Sequence, residues 1–237
     1  MAQVVMTLVG ALRHVRMVPK MSDFENRNEH ISSSDEFEMA QGAFVIRNCA
    51  TEHAPLLLTL VDSIVQLAPL RHVVTPGGKA MSVEMTNCGT FGWVSDRQGY
   101  RYEKIDPTTG KPWPSMPSEF VDFAARAASK AGYSGFSPDV CLINRYAPGA
   151  SMGMHQDRDE CDFRQPIVSV SLGLSIRFRM GGRHRGGKTT SVMLHHGDVV
   201  VLGGSSRLAF HGVGVLQDGF HPLTGHSRFN LTFRRAF

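Results

Sequence analysis

The sequence predicts a mainly β, α+β fold: a double-sheet jelly roll, or double-stranded β-helix, with helices packed on its outside. From residue 140 onward, short strand-like runs recur at 141–147, 152–157, 167–172, 175–180, 191–194, 198–202, 208–213 and 228–234, divided by glycine-rich turns. Ahead of them, two stretches carry apolar residues at helical spacing. No internal repeat interrupts this order, and 237 residues can enclose one sizeable core.

Residues 1–40 read as a partly disordered extension, because Ser32-Ser33-Ser34-Asp35-Glu36 has no hydrophobic period. The apolar run 2–12 is too short to span a bilayer, and basic residues follow it instead of preceding it, the wrong order for a secretory signal. Met21 opens a polar stretch and is a second candidate start. The domain proper covers 41–237 and opens with a strand at Ala43-Phe44-Val45-Ile46. A helix follows Thr51 as N-cap, with Leu57, Leu60, Val61, Ile64 and Val65 as its apolar stripe. A second begins near Ser118, carries Phe120, Phe123, Ala124 and Ala127, and stops at Gly132. Between the helices, residues 73–117 hold both tryptophans and two of the four tyrosines. Trp113, between two prolines, reads as a loop anchor. Trp93, Tyr100 and Tyr102, interleaved with Arg97, Arg101 and Lys104, form a pattern that can stack on a base and hold its phosphates.

The composition, 42% hydrophobic and 19% charged, is that of a globular chain and excludes global disorder. Residues 1–139 carry 13 Lys/Arg against 15 Asp/Glu, whereas residues 140–237 carry 12 against 6. The basic C-terminal part suits a polyanionic partner. Four scattered cysteines, with no C-x-x-C pair, suggest neither a zinc site nor a disulfide framework. A cytoplasmic protein without membrane attachment is the expectation.

Chemistry concentrates in His155-Gln156-Asp157, followed 54 residues after Asp157 by His211. Strand alternation puts His155 and Asp157 on one face, about 6–7 Å apart. Two histidines and one carboxylate can occupy one face of an octahedral metal and leave positions open, the arrangement of non-haem Fe(II) oxygenases. In Arg228-Phe229-Asn230-Leu231-Thr232-Phe233-Arg234 the same alternation puts both arginines on one face with Asn230 and Thr232. Burying two guanidinium groups together is costly unless they meet anions, which a dicarboxylate would supply. Arg235 is out of phase and reads as a surface charge.

These segments resemble the bacterial AlkB family of Fe(II)/2-oxoglutarate dioxygenases. The resemblance spans about 41–237 and rests on Leu142-Ile143-Asn144-Arg145-Tyr146-Ala147-Pro148-Gly149, His155-Gln156-Asp157 and Pro166-Ile167-Val168-Ser169. It extends to His196-Gly197-Asp198-Val199-Val200-Val201, Ser206-Arg207-Leu208, the Arg228–Arg234 tail and Met85-Thr86-Asn87-Cys88-Gly89 with Gly92-Trp93. The loop Arg183-His184-Arg185-Gly186-Gly187-Lys188 matches less well. The resemblance implies that His155, Asp157 and His211 hold Fe(II). It implies that Arg228 pairs with the distal carboxylate of 2-oxoglutarate, that Arg234 holds the carboxylate beside the metal, and that Asn144, Tyr146 and Asn230 hydrogen-bond this co-substrate. It makes residues 73–117 a nucleotide-recognition segment, with Trp93 and Tyr100 as stacking and backbone-contacting aromatics. Asp159 becomes the base-selecting carboxylate, Arg185 a basic substrate contact, and 140–237 the catalytic core. His195, His196, His221 and His226 receive no such role.

The activity implied by the resemblance is removal of N-alkyl groups from bases in DNA, single- or double-stranded, and in RNA. Iron, O2 and 2-oxoglutarate would act together, with release of aldehyde, succinate and CO2 by a monomer. Methylation at N1 of adenine or N3 of cytosine makes a base cationic and blocks its pairing edge, so such a base is readily extruded. A carboxylate at Asp159 and an aromatic face would favour that cation. Two readings stay open beside this one: a related hydroxylase acting on RNA or tRNA bases or a protein side chain, and a damaged-nucleic-acid binding module without turnover.

Overall fold

The computed structural model describes residues 36–237. The extension predicted before residue 36, including the candidate start at Met21, lies outside them. In chain order the elements are β1 (Glu36–Ala40), β2 (Ala43–Ile46), α1 (Ala54–Leu67), β3 (Arg71–Val74), β4 (Ala80–Gly89), β5 (Gly92–Asp96), β6 (Gly99–Glu103), α2 (Ser118–Lys130), β7 (Val140–Tyr146) and β8 (Met152–His155). They continue with β9 (Ile167–Gly173), β10 (Ile176–Met180), β11 (Thr190–Leu194), β12 (Val199–Leu202), β13 (His211–Val213) and β14 (Arg228–Arg234).

Two sheets face each other as a jelly roll. The larger has the order β1-β2-β12-β9-β14-β7-β4-β3, the smaller β11-β10-β13-β8, and β5-β6 form a separate hairpin. Strand alternation explains both layers. On β14, Leu231 and Phe233 are fully buried with Phe120, Phe123 and Leu57 of the two helices, while Arg228, Asn230, Thr232 and Arg234 point between the sheets. The inter-sheet space is filled by Leu142, Tyr146, Ile176, Phe178, Met180 and Val200. Among the described residues no helix is long and apolar enough to cross a membrane.

Several sequence expectations shift. Glu36–Ala40 is a strand paired to β2, so the sheet begins five residues before the expected boundary at 41. Thr51 does not cap α1: Gly197 packs so tightly on it that an added Cβ would meet Thr51 Oγ1 at 2.0 Å, and the helix starts after His53, with Pro55 in its first turn. Residues 73–117 hold strands β4, β5 and β6, with β4 paired along β7 in the larger sheet. Burial of β4 on both faces from Thr86 to Cys88 leaves no period-2 signal there, and β5 and β6 are only five residues each. Trp113 does anchor its loop, donating from Nε1 to the Glu103 carbonyl at 3.0 Å.

Candidate active site

The metal-type cluster is assembled from strand ends. His155 closes β8, His211 opens β13, and the two are register partners, which brings their rings to 4.5 Å between centroids. Asp157 is not on the strand with His155 as the sequence suggested. The chain leaves the ladder at Gln156, whose side-chain amide donates to the carbonyls of Leu208 (2.6 Å) and Arg183 (3.2 Å). Arg207 then donates to the Asp157 carbonyl at 2.8 Å. Side chains thus replace the strand hydrogen bonds, and the carboxylate still returns to the histidines: Asp157 Oδ1 lies 3.5 Å from His155 Nε2 and Oδ2 lies 3.8 Å from His211 Nε2. One ligand atom from each of the three residues falls within 4.8 Å of the others.

The donor chemistry fits a divalent ion. Nδ1 of His155 is 2.9 Å from the Gly153 carbonyl, and Nδ1 of His211 is 3.0 Å from that of Ala209. A carbonyl can only accept, so each Nδ1 carries the proton and each Nε2 presents a lone pair inward. Burial pushes the Asp157 carboxyl up, but Arg234 and the two histidines outweigh it and hold it well below the usual range. Burial, assisted by His155, lowers His211 to about 4. For His155 the depressing effect of burial is overcome by Asp157, which lifts it above its ordinary value. Above the raised His155 value both imidazoles are neutral, and with one carboxylate they match an Fe(II)-type site.

Beside this cluster is an inner cavity of about 70 Å³, lined by Asn144, Tyr146, Arg228, Asn230 and Arg234. Arg228 is 1% exposed and spends one nitrogen on Ser171 Oγ at 3.0 Å, while its Nε and Nη1 have no partner. Burial lowers its pKa. A buried guanidinium with two idle donors suits an anion. Nε and Nη1 lie on different edges, so a carboxylate taken up in two parallel bonds would use Nη1 together with the second hydrogen of Nη2, the nitrogen that also bonds Ser171. Asn144 Oδ1 is likewise unpartnered, and Asn230 is braced by Ser169 and Val170. Arg234 donates to Asp157 Oδ2 at 2.7 Å and lies 3.4 Å from Glu160. It therefore touches the metal-type cluster, whereas Arg228 stands at the far end. Arg235 faces outward as expected, bonded to the carbonyls of Phe237 and Ser137.

An outer pocket of about 380 Å³ shares His155, Asp157 and Arg234 and adds Trp93, Tyr100, Asp159 and Arg185. Trp93 and Tyr100 stack at 5.5 Å and 14°. Trp93 Nε1 donates to Asp159 Oδ2 at 2.9 Å, a contact that spacing gave no hint of. Arg185 lies over the Phe210 ring at 4.9 Å. All twelve residues to which the resemblance gave a role thus line one of two adjoining cavities. Of the aromatic and basic pattern, by contrast, Tyr102 bonds Glu160, Arg101 pairs with Asp96 and Glu103, and Lys104 lies over Phe91, outside both.

Sequence reasoning missed the supports. Asn87 exchanges two hydrogen bonds of 3.0 Å with the Trp93 backbone and fixes the recognition hairpin to β4. Glu160 is buried, accepting from Tyr102 at 2.6 Å and pairing with Arg207 at 3.1 Å. Their only signal was the matching segments around Asn87 and Arg207, to which the sequence assigned no task.

Comparison with known proteins agrees with this geometry. The family model of the 2OG-Fe(II) oxygenase superfamily matches residues 42–234. The alpha-ketoglutarate-dependent dioxygenase AlkB of Escherichia coli strain K12 is 54% identical over 198 residues, covering 84% of this chain and 92% of that protein. An AlkB homolog of Caulobacter vibrioides is 46% identical, covering 75% and 80%. The solved structure of OsALKBH1 superposes with a TM-score of 0.74 at 26% identity, covering 84% of this chain and 99% of that one. Fold, donor set and kinship converge: the chain belongs to the 2OG-Fe(II) oxygenase superfamily and, within it, to the AlkB family of iron- and 2-oxoglutarate-dependent dioxygenases.

Proposed function

We propose that this dioxygenase reverses N-alkyl damage to bases of DNA and RNA, with 1-methyladenine and 3-methylcytosine as substrates. The observation that carries the reading is the pair of cavities meeting at His155, Asp157 and Arg234. The inner one suits a small dicarboxylate; the outer one offers a stacked aromatic pair and a carboxylate to a flat cation. His155, Asp157 and His211 would hold the metal. Arg228 would take the distal carboxylate of 2-oxoglutarate and Arg234 the one beside the metal, with Asn144, Tyr146 and Asn230 fixing its orientation. Bound Fe(II), with O2 and 2-oxoglutarate, supplies the oxidation that hydroxylates the N-alkyl carbon, which then leaves as an aldehyde.

This chain's residues supply position. Trp93 and Tyr100 offer π-faces to an extruded base at the pocket that shares His155 and Asp157. Asp159, steadied by Trp93 Nε1, has Oδ1 left for an exocyclic amine. Arg185 at the rim suits a flanking phosphate. The test is turnover of 2-oxoglutarate with oligonucleotides differing only in the lesion. Methylated DNA and methylated RNA should each stimulate succinate formation, and unmodified strands should not. Equal succinate from unmodified strands would refute nucleobase repair.

A further inference from the structure

Strand β10 carries a second charged feature, on the side of the smaller sheet away from the metal. Ile176, Phe178 and Met180 point into the core, and the alternating Arg177 and Arg179 stand exposed on the outer face. Beyond a 3.4 Å contact from Arg177 to Ser191 Oγ, neither has a fixed partner, and among the described residues no carboxylate pairs with either. The whole β10–β11 hairpin, residues 176–194, holds five Lys/Arg and no Asp/Glu. Like charges held together without counter-ions cost stability, so an arrangement this one-sided calls for an anionic partner.

Geometry says which. Gly212 lies opposite Arg179 in the ladder, and Gly214 donates its N–H to the Arg177 carbonyl, so these neighbours on the β13 side carry no side chain to hold a polymer off. On β11, Met193 and Ser191 stand opposite Arg177 and Arg179. Side chains two residues apart on a strand are about 6.8 Å apart, twice the rise of about 3.4 Å per phosphate of a duplex strand. The hairpin is tied to the site, since the Arg183 carbonyl accepts from Gln156, between His155 and Asp157, and Arg185 lines the outer pocket. Arg185 belongs to the turn between β10 and β11, so the outer pocket and the two arginines share one hairpin.

We propose that Arg177 and Arg179 form a backbone track on the outer face of the smaller sheet, which grips the sugar-phosphate chain several nucleotides from the base held in the outer pocket. This deepens the functional reading above and rests on it for the direction of the track. It makes the protein favour long substrates over a nucleotide and its immediate neighbours.

The test compares wild type with R177A/R179A, using fluorescence anisotropy on an unmodified single strand about 15 nucleotides long and turnover of a methylated trinucleotide. Loss of two contacts should lower the slope of log affinity against log salt by about 1.4 for a single strand. Wild-type affinity should therefore fall about sevenfold more than the variant's between about 50 and about 200 mM salt. Trinucleotide turnover should be unchanged, and R177K/R179K should restore the slope. An unchanged slope, as expected were the face to serve an acidic protein instead, would overturn the proposal. So would equal loss on the trinucleotide. Failure of wild type to act on any methylated strand would sink the functional reading alone, because the anisotropy arm needs no lesion.

Discussion

Arg228, Arg234 and Arg235 share one short segment, yet their surroundings assign them separable consequences. Arg228 touches no group of the metal-type cluster, Arg234 bonds Asp157 directly, and Arg235 faces solvent. Arg228→Met is therefore expected to weaken 2-oxoglutarate binding while leaving Mn(II) affinity intact. Arg234→Ala should weaken both, and Arg235→Ala neither. Loss of a desolvated charge partner costs about 2–5 kcal/mol, or roughly 30-fold to several-thousand-fold in affinity. Because Arg228 keeps two buried nitrogens unpartnered, Arg228→Met should also leave the ligand-free melting temperature unchanged or higher. Calorimetric titration of the three variants checks the pattern, and equal losses in Arg234→Ala and Arg235→Ala would refute the assigned roles. Asp159→Ala should depress turnover of cationic 1-methyladenine and 3-methylcytosine more than that of neutral 1-methylguanine. An equal loss on all three lesions would make Asp159 a support for Trp93 only.

The two histidines also predict a pH dependence. Metal binding needs both imidazoles neutral. His211, at about 4, is already neutral in mildly acidic solution, whereas His155 is held above its ordinary value by Asp157. Below the raised His155 value, Mn(II) affinity should thus fall about tenfold per pH unit, as one proton competes, and a second proton should compete only near pH 4. A two-proton slope between about pH 5 and about pH 6.5 would contradict this.

At the scale of elements, the site depends on how closely β8 and β13 approach. A Cβ added to Gly212 would lie 2.6 Å from the Met152 carbonyl oxygen and 2.8 Å from that of Gly153, both backbone atoms. Gly212→Ala must push the two strands apart and with them His155 and His211. It should weaken metal binding at least about tenfold, since a displaced ligand support typically costs that much. Gly153→Ala, with open space around its Cβ, should not. Equal metal affinity in the two variants, measured by titration, would show that this strand contact does not set the site. Elements were legible where one periodicity ruled. β14 alternates without a break, and both its faces could be assigned from sequence. The recognition strands could not, because β4 is buried on both faces from Thr86 to Cys88 and β5 and β6 are only five residues each. Asp157 was given the right partners on the wrong backbone, since spacing cannot reveal that Gln156 and Arg207 replace the ladder.

Across the whole molecule, two sheets hold the co-substrate cavity between them, and the β5–β6 hairpin adds the outer pocket against its mouth. The helices pack on the opposite face of the larger sheet and contribute no residue to either cavity. Their task is stability: Phe233 of β14 meets Phe120 of α2 edge-on at 5.6 Å, both fully buried. Phe120→Ala should cost about 3–5 kcal/mol in denaturant unfolding, with the affinity of the folded fraction for metal preserved. A loss below about 1 kcal/mol would show that the helix layer is dispensable. The long-range contact between Trp93 and Asp159, and the burial of Glu160 with Arg207, emerge only once the hairpin is folded back. No local pattern encodes them.

The most direct measurement is the stoichiometry of aldehyde and succinate on an oligonucleotide carrying a single 1-methyladenine. Wild type with Fe(II), O2 and 2-oxoglutarate should release one formaldehyde per succinate above the unmodified-strand background, and Asp157→Ala should release neither. Succinate without formaldehyde, or formaldehyde from Asp157→Ala at the wild-type rate, would contradict dealkylation at the His155, Asp157 and His211 centre.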